Sequence, residues 1–366
     1  MSPISLVMAC FSLLGALDLI IGNKFGIGKQ FERGIMLLGT MVTSMVGMIV
    51  FAPLIAHLLR PVINVLAGVI PFEPSVIPAM ILANDMGGAP LAMEFASNEQ
   101  VGYYNALIVS AMMGATISFN IPFAMGVVEK EKHEPLLLGL LCGIVTTPVG
   151  CLISGFIVGL SVIDLLASII PLFICAALLA VALFVFPNAC VKVFKIFGLI
   201  IKTIILIGLA VGIFEGLTGI ELIPYTAPIA EGFDVCVNAA MVMSGAFPLV
   251  YILSKLLDKP MKKVGEVIGV NASSTLGFLS TLATNVTTYG NMKDMDRKGI
   301  MLNGAFSVSA GFVFAGHLAF TLAFNAEFAL SMIVGKLLSG ISAVLVASLL
   351  YRIMNKRQGI NLLGEN

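Results

Sequence analysis

Charged residues are scarce in this 366-residue chain, and tryptophan is missing altogether. Asp, Glu, Lys and Arg make up 11% of the sequence, whereas apolar residues make up 59% and the mean hydropathy is +1.06. A soluble domain carries about 25% charged residues, so this composition excludes a soluble domain and predicts a polytopic membrane protein. Because tryptophan is absent, any aromatic belt at the membrane interfaces must be built from tyrosine.

The sequence also lacks the motifs of metal sites, disulfide scaffolds and hydrolytic enzymes. Its six cysteines lie in or beside apolar runs and none forms a C-x-x-C pair, which favours small buried side chains. Paired histidine ligands, an acid-rich metal motif and a G-x-S-x-G element are all missing, which disfavours an integral membrane enzyme. We therefore expect no catalytic residue, no metal, no cofactor and no nucleic-acid partner.

Apolar stretches long enough to cross a bilayer, about 20 residues each, recur along the chain. The first, 3–22, lacks the cationic start of a signal peptide and contains Asp18, so we expect it to remain as a span. The predicted spans are nine in number, at residues 3–22, 34–59, 101–128, 135–160, 162–187, 193–214, 235–257, 299–325 and 328–352.

Two shorter apolar stretches, the first broken segment (residues 74–96) and the second broken segment (residues 272–290), are interrupted by polar residues and glycine. The interrupting residues are Asp85, Gly87, Gly88 and Pro90 in the first, and Thr284, Asn285, Thr287 and Thr288 in the second. Interrupted hydrophobic segments at corresponding points of two halves are a sequence indicator of a transporter binding site.

Loop charge predicts how the broken segments enter the membrane. Basic loops at 255–266 and 291–298 flank the second segment, and the positive-inside rule assigns both loops to the cytoplasm. A re-entrant hairpin that enters and leaves from the cytoplasmic side satisfies both loops. The same reasoning predicts that the first segment enters from outside, that the N-terminus is outside and that the C-terminus is cytoplasmic.

Short matches in a constant order indicate an internal repeat. Val109-Ser110-Ala111 matches Val308-Ser309-Ala310, Arg60-Pro61 resembles Lys259-Pro260, and the offset between matched positions stays between 197 and 202. We expect an all-α polytopic membrane protein with two inverted-topology repeats, about nine transmembrane helices and two re-entrant hairpins. The predicted parts are repeat 1 at 1–160, a linking helix at 161–188, repeat 2 at 189–355 and a cytoplasmic tail at 356–366.

Several motifs resemble the ethanolamine utilisation permeases. They are Gly28-Lys29-Gln30-Phe31-Glu32, Met45-Val46-Gly47-Met48, Ala52-Pro53-Leu54-Ile55-Ala56-His57, Asp85-Met86-Gly87-Gly88, Ala111-Met112-Met113-Gly114, Ile144-Val145-Thr146-Thr147-Pro148 and Ile333-Val334-Gly335-Lys336-Leu337. The resemblance covers roughly residues 28–345. It implies a bacterial inner-membrane protein that admits ethanolamine to feed its breakdown, usually inside a bacterial microcompartment.

Ethanolamine is a small cation with one hydroxyl, so its site needs a carboxylate or aromatic face and an amide or hydroxyl. Asp85 is the predicted partner of the ammonium, with Gly87 and Gly88 letting the backbone approach the ligand. The alternative is that Asp85 caps the following half-helix. Its neutral counterpart, Asn285, is predicted to bind the hydroxyl end.

Other polar residues within apolar stretches are secondary candidates, each with a structural alternative. Asn84, Thr284 and Thr287 either contact the substrate or satisfy the broken backbone. Asn120 precedes Pro122 and could simply kink its helix, and His317 could be a proton relay, a hydroxyl acceptor or a packing residue. Glu32 is a charge partner or, alternatively, an acid that stabilises the N-terminus of the span it opens, and Lys336 is a further charge partner. Pairing of Lys336 with Asp85 would make the site less attractive to a cation.

The broken segments predict a transporter that works by alternating access around a midplane site, and the resemblance implies that it is a permease that imports ethanolamine. The alternatives are an ion-coupled carrier or a channel for another small polar solute. Coupling to protons or sodium, simple facilitated diffusion, rocking or elevator motion, and a homo-oligomer all stay open at this point.

Overall fold

The computed structural model describes residues 3–69 and 72–357, and every regular element in those ranges is helical. In the first half the helices are Pro3–Ile20, Gly28–Met36, Leu38–Met41, Val42–Val46, Gly47–Val69, Val76–Ile81, Asn84–Met86, Gly88–Phe95, Glu99–Tyr104, Asn105–Gly114, Thr116–Asn120, Ile121–Val127, Lys130–Lys132 and His133–Ile157. In the second half they are Val162–Val185, Pro187–Thr218, Ile229–Ile268, Ala272–Ala283, Asn285–Gly290, Asn291–Asp294, Arg297–Ala310, Gly316–Asn325, Ala326–Phe328 and Ala329–Arg357.

Eight helices among the described residues are long and apolar enough to cross a membrane. They are Pro3–Ile20, Gly28–Ile63, Glu99–Val127, Lys130–Ile157, Val162–Val185, Pro187–Thr218, Ile229–Leu257 and Gly316–Lys356. Each overlaps one of the predicted spans. The all-helical membrane architecture is therefore confirmed, while the predicted inverted relation of the two repeats and the division into 1–160, 161–188 and 189–355 stay predictions.

The prediction of a continuous helix over 299–325 is wrong. The structure has two half-helices, Arg297–Ala310 and Gly316–Asn325, joined by a link of turns at 311–315 in which Phe312 has a φ of +61°. The N–H groups of Phe312 and Phe314 donate to the carbonyls of Thr281 and Leu282, at 3.0 and 2.9 Å. The link therefore satisfies carbonyls that helix Ala272–Ala283 leaves open at its end, and this pairing offsets the loss of helical hydrogen bonds. We call 297–325 the split helix.

Burial separates a central helix from peripheral ones. The most apolar window of Glu99–Val127 is 83% buried, whereas that of Pro3–Ile20 is 17% buried. Much of Glu99–Val127 has π-helical hydrogen bonding, in Asn105–Gly114 and Thr116–Asn120. The peripheral helices expose mostly apolar side chains, as expected of surfaces that face lipid.

Both broken segments fold back as pairs of short helices, and an acid fixes the base of each. Glu73 is 4% exposed, and its carboxylate accepts from the hydroxyl of Ser75 at 2.8 Å and that of Ser97 at 2.6 Å. Asp296 accepts from the hydroxyl of Ser274 at 2.6 Å and the N–H of Asn271 at 3.0 Å. These hydrogen bonds hold the two ends of each segment together, so each tip projects into the helical core. Positions 358–366 of the predicted cytoplasmic tail lie outside the described residues.

Candidate functional site

The tip of the first broken segment is a tight turn that depends on its two glycines. Helix Val76–Ile81 ends at an extended Leu82, and Gly87 takes a φ of +100° before helix Gly88–Phe95 begins. A Cβ at Gly87 would collide with Met48, and one at Gly88 would collide with Ser110 and the Leu82 carbonyl. Only glycine fits this conformation and these contacts, so the two residues give the turn its shape.

Neighbouring hydroxyls hold the backbone of this tip. Ser110 donates to the carbonyl of Leu82, and Ser118 accepts from the N–H of Ala83 at 3.0 Å. Asp85 is half-buried, and helix Gly88–Phe95 has no side-chain cap. The carboxylate of Asp85 accepts no hydrogen bond from a neighbouring residue of the described chain, so it is available to a ligand.

The tip of the second broken segment is arranged differently. Thr284 is extended, with φ −161° and ψ 132°, and its hydroxyl accepts from the N–H of Val286 as the cap of helix Asn285–Gly290. Asn285 is fully buried and donates to Asn120 Oδ1 at 2.7 Å and to the carbonyl of Ser307 at 3.0 Å. The amide of Asn285 therefore locks this tip against the central helix and the split helix.

A cavity of about 520 Å³, which we call the main cavity, lies where the two tips approach each other. Asp85 lines it from the first tip, Thr284 from the second and His317 from the split helix. From there the lining continues along helices Gly28–Met36 and Ile229–Ile268. Among the described residues that line it, Asp85 carries the sole carboxylate.

Aromatic rings form part of the same wall. Phe312 lies edge-on to Phe119, with ring centroids 5.6 Å apart, and its ring is 5.2 Å from that of His317. All three side chains line the main cavity together with Asp85. A carboxylate beside aromatic rings attracts a small ammonium ion, through charge and through the ring quadrupole.

Behind this wall lies a buried lysine. The Lys336 side chain is fully buried, and its Nζ lies 2.6 Å from the carbonyl oxygen of Ala111 and 3.0 Å from His317 Nδ1. Asp85 and Lys336 form no ion pair within the described residues, but His317, which contacts the lysine amine, lines the main cavity together with Asp85. His317 thus lies between the cavity and the buried amine.

The structure brings some predicted site residues together and separates others. Asp85, Thr284 and His317 share the main cavity, whereas Thr287 lines a smaller neighbouring cavity. The remaining predicted residues lie outside the main cavity: Asn84, Asn120 and Asn285 are buried, Glu32 is exposed, and Lys336 is behind His317. Both amide atoms of Asn84 are buried without a hydrogen-bond partner in the described chain.

Sequence reasoning missed the aromatic wall and the basic side of the cavity. Phe119 and Phe312 look like ordinary apolar residues of a span, and only the break after Ala310 turns Phe312 toward the cavity. Gly311, a glycine within the predicted span 299–325, was the sequence signal for this break. In the structure a Cβ at Gly311 would collide with the amide of Asn285. Arg33 also lines the cavity, and its guanidinium lies over the ring of Phe247 at 4.9 Å.

An all-helical membrane protein with a cavity between two broken segments, lined by a carboxylate, hydroxyls and aromatic rings, has the construction of a membrane transporter. Comparison of the sequence with known protein families identifies which family of transporters it belongs to. The family model described as "Ethanolamine utilisation protein, EutH" matches residues 2–350, so the chain belongs to the EutH family.

Curated relatives agree with this assignment. The "Probable ethanolamine permease EutH" of Listeria monocytogenes is 41% identical over 351 residues, which cover 96% of this chain and 94% of the relative. The proteins of the same name from Salmonella typhimurium and Escherichia coli K12 are each 36% identical, with 94% of both chains covered. No solved structure matches the chain. The protein is accordingly a membrane transporter of a permease family, and not an enzyme.

Proposed function

We propose that the protein imports ethanolamine across the bacterial inner membrane by alternating access, and that the main cavity is its binding site. The observation that carries this proposal is Asp85, whose carboxylate accepts no hydrogen bond from another described residue and lines the same cavity as the rings of Phe119 and Phe312. Such a group attracts an ammonium, and an ionisable residue inside a helical membrane core is a candidate for function. The names of the relatives supply the substrate.

Each end of ethanolamine then has a partner. The ammonium lies against the carboxylate of Asp85 and the aromatic wall. The hydroxyl lies toward Thr284 and His317, which line the same cavity and carry hydrogen-bonding atoms. Asn285, Asn120 and Asn84 shape the tips from behind and do not touch the substrate.

The described conformation is open toward the cytoplasm in this proposal. The main cavity runs from Asp85 and His317 to Arg33 and Tyr251, on the side of the basic loops at 23–33 and 255–266. The positive-inside rule assigns these loops to the cytoplasm, which puts the N-terminus outside and the C-terminus inside. Ethanolamine is far smaller than the 520 Å³ cavity, so a conformation that binds it closely requires the walls to move inward.

Uptake of labelled ethanolamine by proteoliposomes tests the site. We expect Asp85→Asn to lower uptake at least about a hundredfold, because the ammonium loses its counter-charge in a site with little water. Asp234→Asn is the matched control: it removes the same charge from an exposed position and should transport as the wild-type protein does. Wild-type uptake by Asp85→Asn would refute the assigned site.

A counterflow experiment tests the mechanism separately. A carrier preloaded with unlabelled ethanolamine takes up labelled ethanolamine faster and saturates, because the loaded binding site returns more quickly than the empty one. A channel gives neither trans-stimulation nor saturation at low concentration. Absence of both effects in the wild-type protein would indicate a channel instead of a carrier, and the proposed binding site would stay the same.

A further inference from the structure

The buried amine of Lys336 has no role in the binding site described above. Lys336 is among the largest fully buried side chains of the protein, and neither of its two hydrogen-bond partners, Ala111 O and His317 Nδ1, carries a negative charge. A membrane-embedded lysine without a direct counter-ion is costly, so it is retained where it has a function.

The surroundings of Lys336 restrict what that function can be. The titratable group in contact with its ammonium is His317 on the split helix. Asp85 at the first tip lines the same cavity as His317, and Cys151 lies on helix His133–Ile157, which packs against the helix that carries Lys336. The central helix contributes the Ala111 carbonyl and the phenol of Tyr104, which donates to the Cys151 carbonyl at 2.9 Å. From half-helix Arg297–Ala310, the neutral hydroxyl of Ser309 bonds Ser339 on the lysine's own helix. Asp85 is the sole carboxylate of this group.

One carboxylate can balance one cation. Without substrate, the Asp85 carboxylate offsets the charge of Lys336. If a substrate ammonium joins them, two cations share one carboxylate, and the fully buried Lys336 ammonium has no solvent to screen the repulsion. The site returns to balance when one cation leaves or loses a proton.

We propose that Lys336 is the proton carrier of the transporter: the binding of a substrate ammonium at Asp85 drives one proton from the Lys336 ammonium through His317 into the main cavity. This inference rests on the proposed function, since it takes ethanolamine as the cation. One positive charge enters the site as R–NH₃⁺ and one leaves as a proton, so each exchange is electrically neutral.

His317 is placed to pass that proton. The Lys336 ammonium can donate to Nδ1 only when the ring is neutral and carries its own proton on Nε2. When Nδ1 takes the lysine proton, Nε2 can release its proton to water in the main cavity, which His317 lines. The amine is left neutral as –NH₂, and the reverse sequence reprotonates it after the substrate has gone.

Calorimetric titration of the purified protein with ethanolamine measures the exchange directly. In buffers of equal pH and different ionisation enthalpy, we expect the wild-type protein to release about one proton for each ethanolamine bound. Lys336→Gln should bind ethanolamine and release none, since its amide keeps a donor for Ala111 O and has no proton to lose. Lys202→Gln, which changes an exposed lysine in the same way, should release one proton as the wild-type does.

A second variant keeps the test decisive if Lys336→Gln does not fold. Lys336→Arg keeps the positive charge and cannot give up its proton, so we expect at least about tenfold weaker binding of ethanolamine. His317→Gln can still accept from Lys336 but cannot pass a proton on, so proton release at equilibrium should persist while uptake slows.

The outcomes separate the two proposals. Ethanolamine binding by the wild-type protein with a heat independent of the buffer overturns the proton exchange and leaves the binding site intact. Equal affinity of Lys336→Arg and wild-type likewise overturns it. If ethanolamine produces no binding and no uptake at all, the proposed function fails, and the exchange fails with it.

Discussion

The tips of the two broken segments have the same construction and different chemistry. In the first, Asp85 faces the main cavity and accepts no hydrogen bond from its neighbours in the described chain. At the matching position of the second, Asn285 is fully buried and bonded to Asn120 and Ser307. The first tip therefore offers charge to a ligand, while the second uses its amide to hold the fold together.

The bases of the two broken segments, in contrast to the tips, make similar contacts. An amide on the following helix bonds each base: Asn105 donates to the Ser75 hydroxyl at 2.8 Å, and Asn303 donates to the Ser274 carbonyl at 2.8 Å. Both pairs fit the offset of about 200 residues that the sequence repeat predicts. The framework is thus similar in the two halves, and the difference between them is concentrated at the tips.

Exchange of the two tip residues should have the largest effect. A carboxylate at position 285 would face the carbonyl oxygen of Ser307 in a site without solvent, so we expect Asn285→Asp to destabilise the protein by about 3–5 kcal/mol. The double variant Asp85→Asn with Asn285→Asp should not recover ethanolamine uptake, because the carboxylate would lie outside the main cavity. Chemical denaturation in detergent and proteoliposome uptake measure the two effects.

Asn188→Asp is the control for that exchange, because Asn188 is exposed in the first turn of helix Pro187–Thr218, where an acid is tolerated. Its stability should match that of the wild-type protein. Recovery of uptake by the double variant would mean that the tips are interchangeable and that Asp85 has no special position.

A methyl group at the first tip should be nearly as disruptive. Gly87→Ala places a side chain at a φ of +100° against Met48, and we expect a loss of about 1–3 kcal/mol in stability and most of the uptake. Gly290→Ala, in the second segment, adds its methyl where no other heavy atom lies within 4 Å. That variant should fold and transport normally. Equal behaviour of the two variants would contradict the role given to the Gly87 turn.

Much of this architecture was accessible from the sequence because hydropathy and loop charge report on the membrane directly. Eight spans overlap the predicted ones, and the backbone breaks at Leu82–Gly87 and at Thr284 lie within the predicted interruptions. A polar or glycine-rich interruption in an apolar run leaves backbone groups open, and such groups must find partners in the protein. That requirement makes interruptions visible in a single sequence.

The split helix and the lysine contact were not accessible in the same way. The 311–315 link exists because Phe312 and Phe314 bond carbonyls of a different segment, and no local pattern encodes that pairing. Likewise the sequence offers an acid, such as Asp85, as a charge partner for Lys336, whereas the contacts of Lys336 in the structure are a carbonyl and His317. Both features depend on which helices pack together, and that information lies in the tertiary structure.

The base of the first segment should contribute more to the stability of the protein than the base of the second, although the two make similar hydrogen bonds. Glu73 is 4% exposed and accepts from Ser75 and Ser97, so we expect Glu73→Gln to cost about 1–3 kcal/mol of stability, since hydrogen bonds to a charged acceptor are lost. Asp296 is only partly buried, and Asp296→Asn should cost about 1 kcal/mol or less. Thermal unfolding in detergent compares them, and a larger loss for Asp296→Asn would reverse the order of the two bases.

A smaller effect than that of Glu73→Gln is expected at Thr284, the residue of the second tip whose hydroxyl reaches the main cavity. Thr284→Val removes the cap on the N–H of Val286 and should cost about 0.5–2 kcal/mol of stability. If the same hydroxyl also meets the substrate, affinity for ethanolamine should fall by a further few-fold, in line with about 1 kcal/mol for one hydrogen bond. Thr284→Ser keeps the hydroxyl and should retain both properties. Calorimetric titration separates the two roles, because wild-type affinity in a destabilised Thr284→Val protein would make the second tip a purely structural one.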